Sequence, residues 1–127
     1  MPIKTFLEAC KKLKLDPKKV LPVVKSMPLE MQKPQLAYTK LVIIAAALND
    51  GREPNWDNTN EWKYWPWFWM DKPGFRFGAS DCSLSGTDSA GGSRLCFRTR
   101  ELSDYAAKKF LPLWKDLMVI APAKKKK

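Results

Sequence analysis

The stretch Glu61-Trp62-Lys63-Tyr64-Trp65-Pro66-Trp67-Phe68-Trp69-Met70 decides how this chain folds. Between Trp62 and Phe77 eight of sixteen positions are aromatic, and four of the chain's six tryptophans lie between Trp62 and Trp69. Rings of this size remove much apolar area from water when buried, so the stretch is either the centre of a core or a face used for binding. Aromatic residues favour a pleated surface, which predicts a strand. Alternation then puts Trp65, Trp67 and Trp69 on one face, with Trp62, Tyr64, Phe68 and Met70 on the other. Pro66 has no N–H for a ladder, so the strand is at an edge, bulged or interrupted there.

Working outward, Asp71-Lys72-Pro73-Gly74 is a tight reversal that predicts a hairpin to Phe75-Arg76-Phe77-Gly78. Residues 80–93 are rich in Ser, Gly and Asp, and a third strand is expected over 94–98, with Leu95 and Phe97 facing one way and Arg94, Cys96 and Arg98 the other. Upstream, Arg52 to Glu61 is a polar loop with Trp56 as its anchor. From Pro34 a main helix carries Leu36, Ala37, Leu41, Ile44, Ala45 and Leu48 on one face. Val42, Ile43 and Ala46 widen that face almost all round, as in a central helix. Asn49-Asp50-Gly51 ends it, with Gly51 suited to a left-handed position. Before it, Ile3 to Leu15 reads as an amphipathic helix, and Asp16-Pro17 signals a short second one over about 17–26, ended early by Pro22. After the strands, Thr99 caps a last helix, which Pro112 should kink or split. Residues 121–127 form a basic tail expected to be disordered.

These elements predict an α+β fold: a small, mostly antiparallel three-stranded sheet packed on three to four helices in two layers. A chain of 127 residues suits a single domain over 1–120 plus the tail. Leu41 to Leu48 is the longest apolar run, far short of a membrane span, and no signal-peptide pattern opens the chain, so a cytoplasmic protein is expected. The net charge of +10 is uneven: about +6 over residues 1–49, −3 over 50–92 and +7 over 93–127. The aromatic middle is thus mildly acidic, which weighs against a polyanion-coating groove lined by its rings.

The chain has no histidine, and its three cysteines, Cys10, Cys82 and Cys96, have no metal-ligand spacing. No metal or cofactor is expected. No spacing pairs the carboxylates for acid–base work, so no catalytic residues are assigned and the reading is non-enzymatic. Two constellations suggest binding. Gly86 to Arg94, with Gly91, Gly92 and Ser93, is a small-residue loop whose amides suit a phosphate, helped by Arg94, Arg98 and Arg100. Glycine needed only for turn geometry explains the same loop. On the sheet face away from the helices, Arg76, Arg94 and Arg98 are expected beside one rank of aromatics, either Trp65, Trp67 and Trp69 or the Tyr64 set, with the tryptophans taken as the stacking rings, the chemistry of ring stacking and phosphate pairing. A subunit interface favours the same residue types.

Pro54-Asn55-Trp56, Glu61 to Phe68 and Ser93-Arg-Leu-Cys-Phe-Arg-Thr-Arg-Glu-Leu-Ser-Asp-Tyr-Ala-Ala-Lys-Lys-Phe110 together resemble a family of small proteins from Bacteroides-type gut bacteria and their phages, including crAss-like phages. The similarity spans about residues 36–120. The family has no assigned activity, so the resemblance implies a phage setting inside a bacterial cytoplasm and transfers no site residues. The expected function is a phage-type binding protein, forming a homo-oligomer and holding a small signalling nucleotide or single-stranded nucleic acid, in the manner of proteins that sequester a host defence signal. The alternative is a structural or protein-interaction role for the Trp-rich strand.

Overall fold

Residues 3–88 and 92–120 are described by a computed structural model; the basic tail 121–127 and Gly91 lie outside the described residues. Within them, four α-helices and a two-stranded antiparallel sheet form an α+β fold. Helix α1 spans Phe6–Lys12, α2 Leu29–Leu48, α3 Arg100–Lys109 and α4 Leu111–Met118; strands β1 and β2 span Lys63–Trp69 and Arg76–Ser83.

Helix α2 is central, as its apolar pattern implies: Leu41, Ile43, Ile44, Ala45, Ala47 and Leu48 are all buried against α1 and α4. It starts before Pro34, not at it. A proline there removes only the hydrogen bond to the carbonyl of Glu30, and Glu30 lies on an exposed turn where water can satisfy it. The helix closes in a Schellman motif, Gly51 N–H to Ala46 O at 2.8 Å and Asp50 N–H to Ala47 O at 3.2 Å. Both Asp50 (φ 55) and Gly51 (φ 74) are left-handed, so the strained position falls on an aspartate as well as on the expected glycine.

Helix α1 is shorter than expected. Thr5 caps it by accepting from Glu8 N–H at 3.1 Å, and Lys14 in the left-handed region ends it. Ala9 and Cys10 face the core while Leu7 is 63% exposed, so the buried face is rotated from the one that the spacing of Ile3, Phe6, Leu7, Cys10 and Leu13 predicts. The short helix expected over 17–26 does not form. Asp16 does start a turn, accepting from Lys18 N–H and Val20 N–H, but Pro22 arrives before a second turn can close. At the other end, Thr99 caps α3 as expected, and Pro112 splits the last helix at Phe110. Trp114 bridges that break by donating its indole N–H to Ala106 O at 3.1 Å.

The aromatic stretch is strand β1, paired with β2 from Lys63↔Ser83 to Trp69↔Arg76. Gly78 is an extra residue in β2, inserted where Trp67↔Ala79 gives way to Phe68↔Phe77. The bulge lets Phe77 and Ser80, three apart, both face the helices. Phe68 leads the inner face, its ring 4.7 Å from Phe75 and 5.4 Å from Trp114.

The third strand is a correction. Residues 93–95 form a short 3-10 turn, and only Phe97 pairs with the sheet, exchanging both hydrogen bonds with Tyr64 at 3.0 and 2.6 Å. On its far side, the buried Asn49 carboxamide accepts from Arg98 N–H at 3.0 Å and donates to Cys96 O at 2.9 Å. The segment therefore has its backbone satisfied by a side chain where another strand would stand. Leu95, Cys96 and Phe97 are all buried, so the expected alternation is absent as well.

The outer edge of β2 is closed in the same manner. Arg100 donates to Ser80 O at 2.6 Å, and Asp81 accepts from Cys82 N–H at 2.8 Å. These side chains occupy backbone groups that a neighbouring strand would need.

Candidate functional site

The four arginines expected to act together sit in three places. Arg76 folds back on the hairpin turn, donating to Gly74 O at 2.7 Å and to the Asp71 carboxylate at 3.2 Å, and lies 5.6 Å over the Trp69 ring. Arg100 belongs to the β2 edge and lies 5.2 Å over Tyr64. Arg94 and Arg98 are at neither place: both lie at the C-terminal end of α2, so Arg76, Arg94 and Arg98 do not share a sheet face. The tryptophans divide too. Trp65 is 5% exposed, whereas Trp67 and Trp69 are 43% and 46% exposed and form an edge-to-face pair with centroids 4.6 Å apart. Gly91 is outside the described residues; Gly92 (φ 61) donates to Thr87 Oγ1, and Ser93 Oγ accepts from the Trp56 indole at 2.6 Å.

What the fold does gather is a cleft at the end of α2. Two adjoining depressions of 90 and 410 Å3 share Asn49, Arg52, Glu53 and Pro54. Arg94 and Ser93 complete the larger; Trp62, Lys63 and Arg98 complete the smaller. Arg52, part of no sequence motif, follows the Schellman turn directly and lines the larger depression together with Arg94. Arg52 and Arg94 are exposed and form no ion pair among the described residues. Arg98 is held by Asp50 at 2.7 Å, and Lys12 reaches the same carboxylate at 2.5 Å. The Lys12 hydrogen bond and charge, more than Arg98, hold the Asp50 carboxyl below its ordinary range. Glu53 and Glu61 are the opposing charges on the cleft walls.

Lys63 is the other residue that sequence reasoning missed. At 1% exposure it is buried, donating to Asn58 O at 2.9 Å and Leu84 O at 3.0 Å, with Glu61 at 3.6 Å and the Trp56 ring at 5.0 Å. Its donors are taken up by these partners, which pin the 55–61 loop to the end of β2. The one sequence signal was a lysine inside an otherwise aromatic strand. Cys96 is a closed position as well: burial pushes its thiol up to about 11, and Sγ donates to Gly92 O. At neutral pH it is protonated and a poor nucleophile. Among the described residues no cluster of three potential ligands could hold a metal, and no helix is long and apolar enough to cross a membrane. No protein-family model, no curated protein and no solved structure matches this chain.

Proposed function

We propose that this chain is a non-enzymatic binding protein that holds a small phosphate-bearing ligand, of the signalling-nucleotide class, in the cleft at the end of α2. Arg52 and Arg94 supply forked donors to the phosphate, and Ser93 adds a hydroxyl. Arg98, anchored by Asp50, holds the floor of the smaller depression, where Trp62, 48% exposed, offers a ring for the base. The observation that carries this reading is the meeting of arginines from positions 52, 94 and 98 in one cleft, two of them without a carboxylate partner among the described residues. The larger depression, at 410 Å3, is within the range of about 300–1,000 Å3 for small-ligand pockets, which favours a mononucleotide-sized ligand over a polymer. A phage setting rests on the resemblance of the sequence motifs, and sequestration of a host signal rests on analogy with that setting, not on the sequence.

A nucleotide panel tests it by thermal melting of the wild type and of Arg94→Ala. One or a few nucleotides should raise the wild-type melting temperature and leave Arg94→Ala unmoved. If no nucleotide moves the wild type, the reading fails.

A second reading has its own support. The exposed Trp67–Trp69 pair, flanked by Arg76, has the composition of a protein contact, and a homo-oligomer would cover it. Trp67→Ala should then lower the sedimentation coefficient at equal protein concentration without unfolding the chain.

A further inference from the structure

The two depressions of the arginine cleft meet along Asn49, Arg52, Glu53 and Pro54, which line both. Away from that shared wall they differ, with Ser93 and Arg94 in the larger and Trp62 and Arg98 in the smaller. A nucleotide carries its sugar between phosphate and base. A ligand with its phosphate at Arg94 and its base on Trp62 therefore sets its sugar against the shared wall. Few side chains there can accept a hydrogen bond from it. The buried Asn49 carboxamide already accepts from Arg98 N–H at 3.0 Å and donates to Cys96 O at 2.9 Å. Arg52 only donates, and the Pro54 ring does neither. Glu53 is exposed, and among the described residues its carboxylate forms no hydrogen bond or ion pair. Glu61, the other carboxylate of the cleft, lines only the smaller depression and accepts from Asn55 N–H at 2.8 Å.

We infer that Glu53 accepts from the ribose hydroxyls of the ligand and makes the cleft selective for ribonucleotides over 2′-deoxyribonucleotides and over inorganic phosphate. This role rests on the nucleotide cleft proposed above and adds to it the sugar and the residue that reads it. A carboxylate repels a phosphate, so Glu53 weakens the site for phosphate alone. Hydroxyls reverse the sign, because an ionised carboxylate only accepts and each hydroxyl has a proton to give. The 2′-hydroxyl is the group that separates the two sugars.

Calorimetric titration of wild type and Glu53→Ala with ribonucleoside mono-, di- and triphosphates, their 2′-deoxy counterparts and inorganic phosphate tests it. Wild type should bind at least one ribonucleotide about tenfold tighter than its 2′-deoxy counterpart, the worth of one hydrogen bond to a charged acceptor, and should bind inorganic phosphate more weakly than either. Glu53→Ala removes an exposed side chain that holds nothing else in the fold, and there the ratio between the two sugars should fall to about one. Equal binding of the two sugars by wild type, or a preference that survives in Glu53→Ala, overturns the role of Glu53 and leaves the nucleotide cleft standing. Binding of no nucleotide at all overturns the cleft, and the role of Glu53 with it.

Discussion

Lys63 and Trp65 share the outer face of β1 with Trp67 and Trp69, yet the first pair is 1% and 5% exposed and the second 43% and 46%. Strand geometry treats the four alike. The difference comes from what is laid over them. Carbonyls of Asn58 and Leu84 converge on Lys63, and Leu95 lies beside Trp65, whereas Trp67 and Trp69 stand over Gly78 of the neighbouring strand and remain exposed. Burial on a two-stranded sheet is thus set by the loops that return over it, and a hydrophobic rank need not be a core rank.

That contrast can be broken in order of expected effect. Trp65→Ala should destabilise the fold by about 4 kcal/mol in urea unfolding, while Trp67→Ala should cost under about 1 kcal/mol. Equal losses would mean the two tryptophans are buried alike. Lys63→Met keeps the stem and removes the ammonium from two buried carbonyls, and should cost about 2–3 kcal/mol by the same measurement. A loss near zero would show that Lys63 does not hold the 55–61 loop. Gly78→Ala is expected to cost about 1 kcal/mol, because a Cβ there would stand 2.7 Å from Trp67 Cε3. The Trp67 ring is exposed and can swing aside, so the clearer sign is loss of the Trp67–Trp69 exciton couplet in far-ultraviolet circular dichroism.

The smallest effect lies at the cleft, where Asp50 joins Lys12 and Arg98 on the surface. Its carboxyl is held below the ordinary 3.8, so the stabilisation is fully present above that value and lost as pH falls through the lowered one. Asp50→Asn should melt slightly below wild type at pH 6, and the two should converge at strongly acid pH. A gap that stays constant through the acid range would show that the loss does not come from the carboxylate's charge.

Much of the architecture was legible because it depends on local chemistry. Pro66, the Asp71–Gly74 reversal and Pro112 act through their own backbone and Thr99 through a hydroxyl three residues from its donor, and each did in the fold what its residue type requires. The candidate site was less legible. Alternation through 94–98 put Arg94 and Arg98 beside Arg76, but the segment is a 3-10 turn and one bridge, and both arginines moved to the end of α2. Nothing local to those residues announces that Asn49, far earlier in the chain, fills the side where the strand would have continued.

The sequence by itself determined an α+β chain with a central apolar helix, an aromatic hairpin strand and a proline-split last helix, because propensity, capping and turn chemistry act over a few residues. Tertiary structure alone decided which tryptophans are buried, which arginines meet, and that a lysine belongs inside. Those outcomes depend on loops and side chains remote in sequence competing for the same backbone groups, and no short-range pattern encodes which of them arrives.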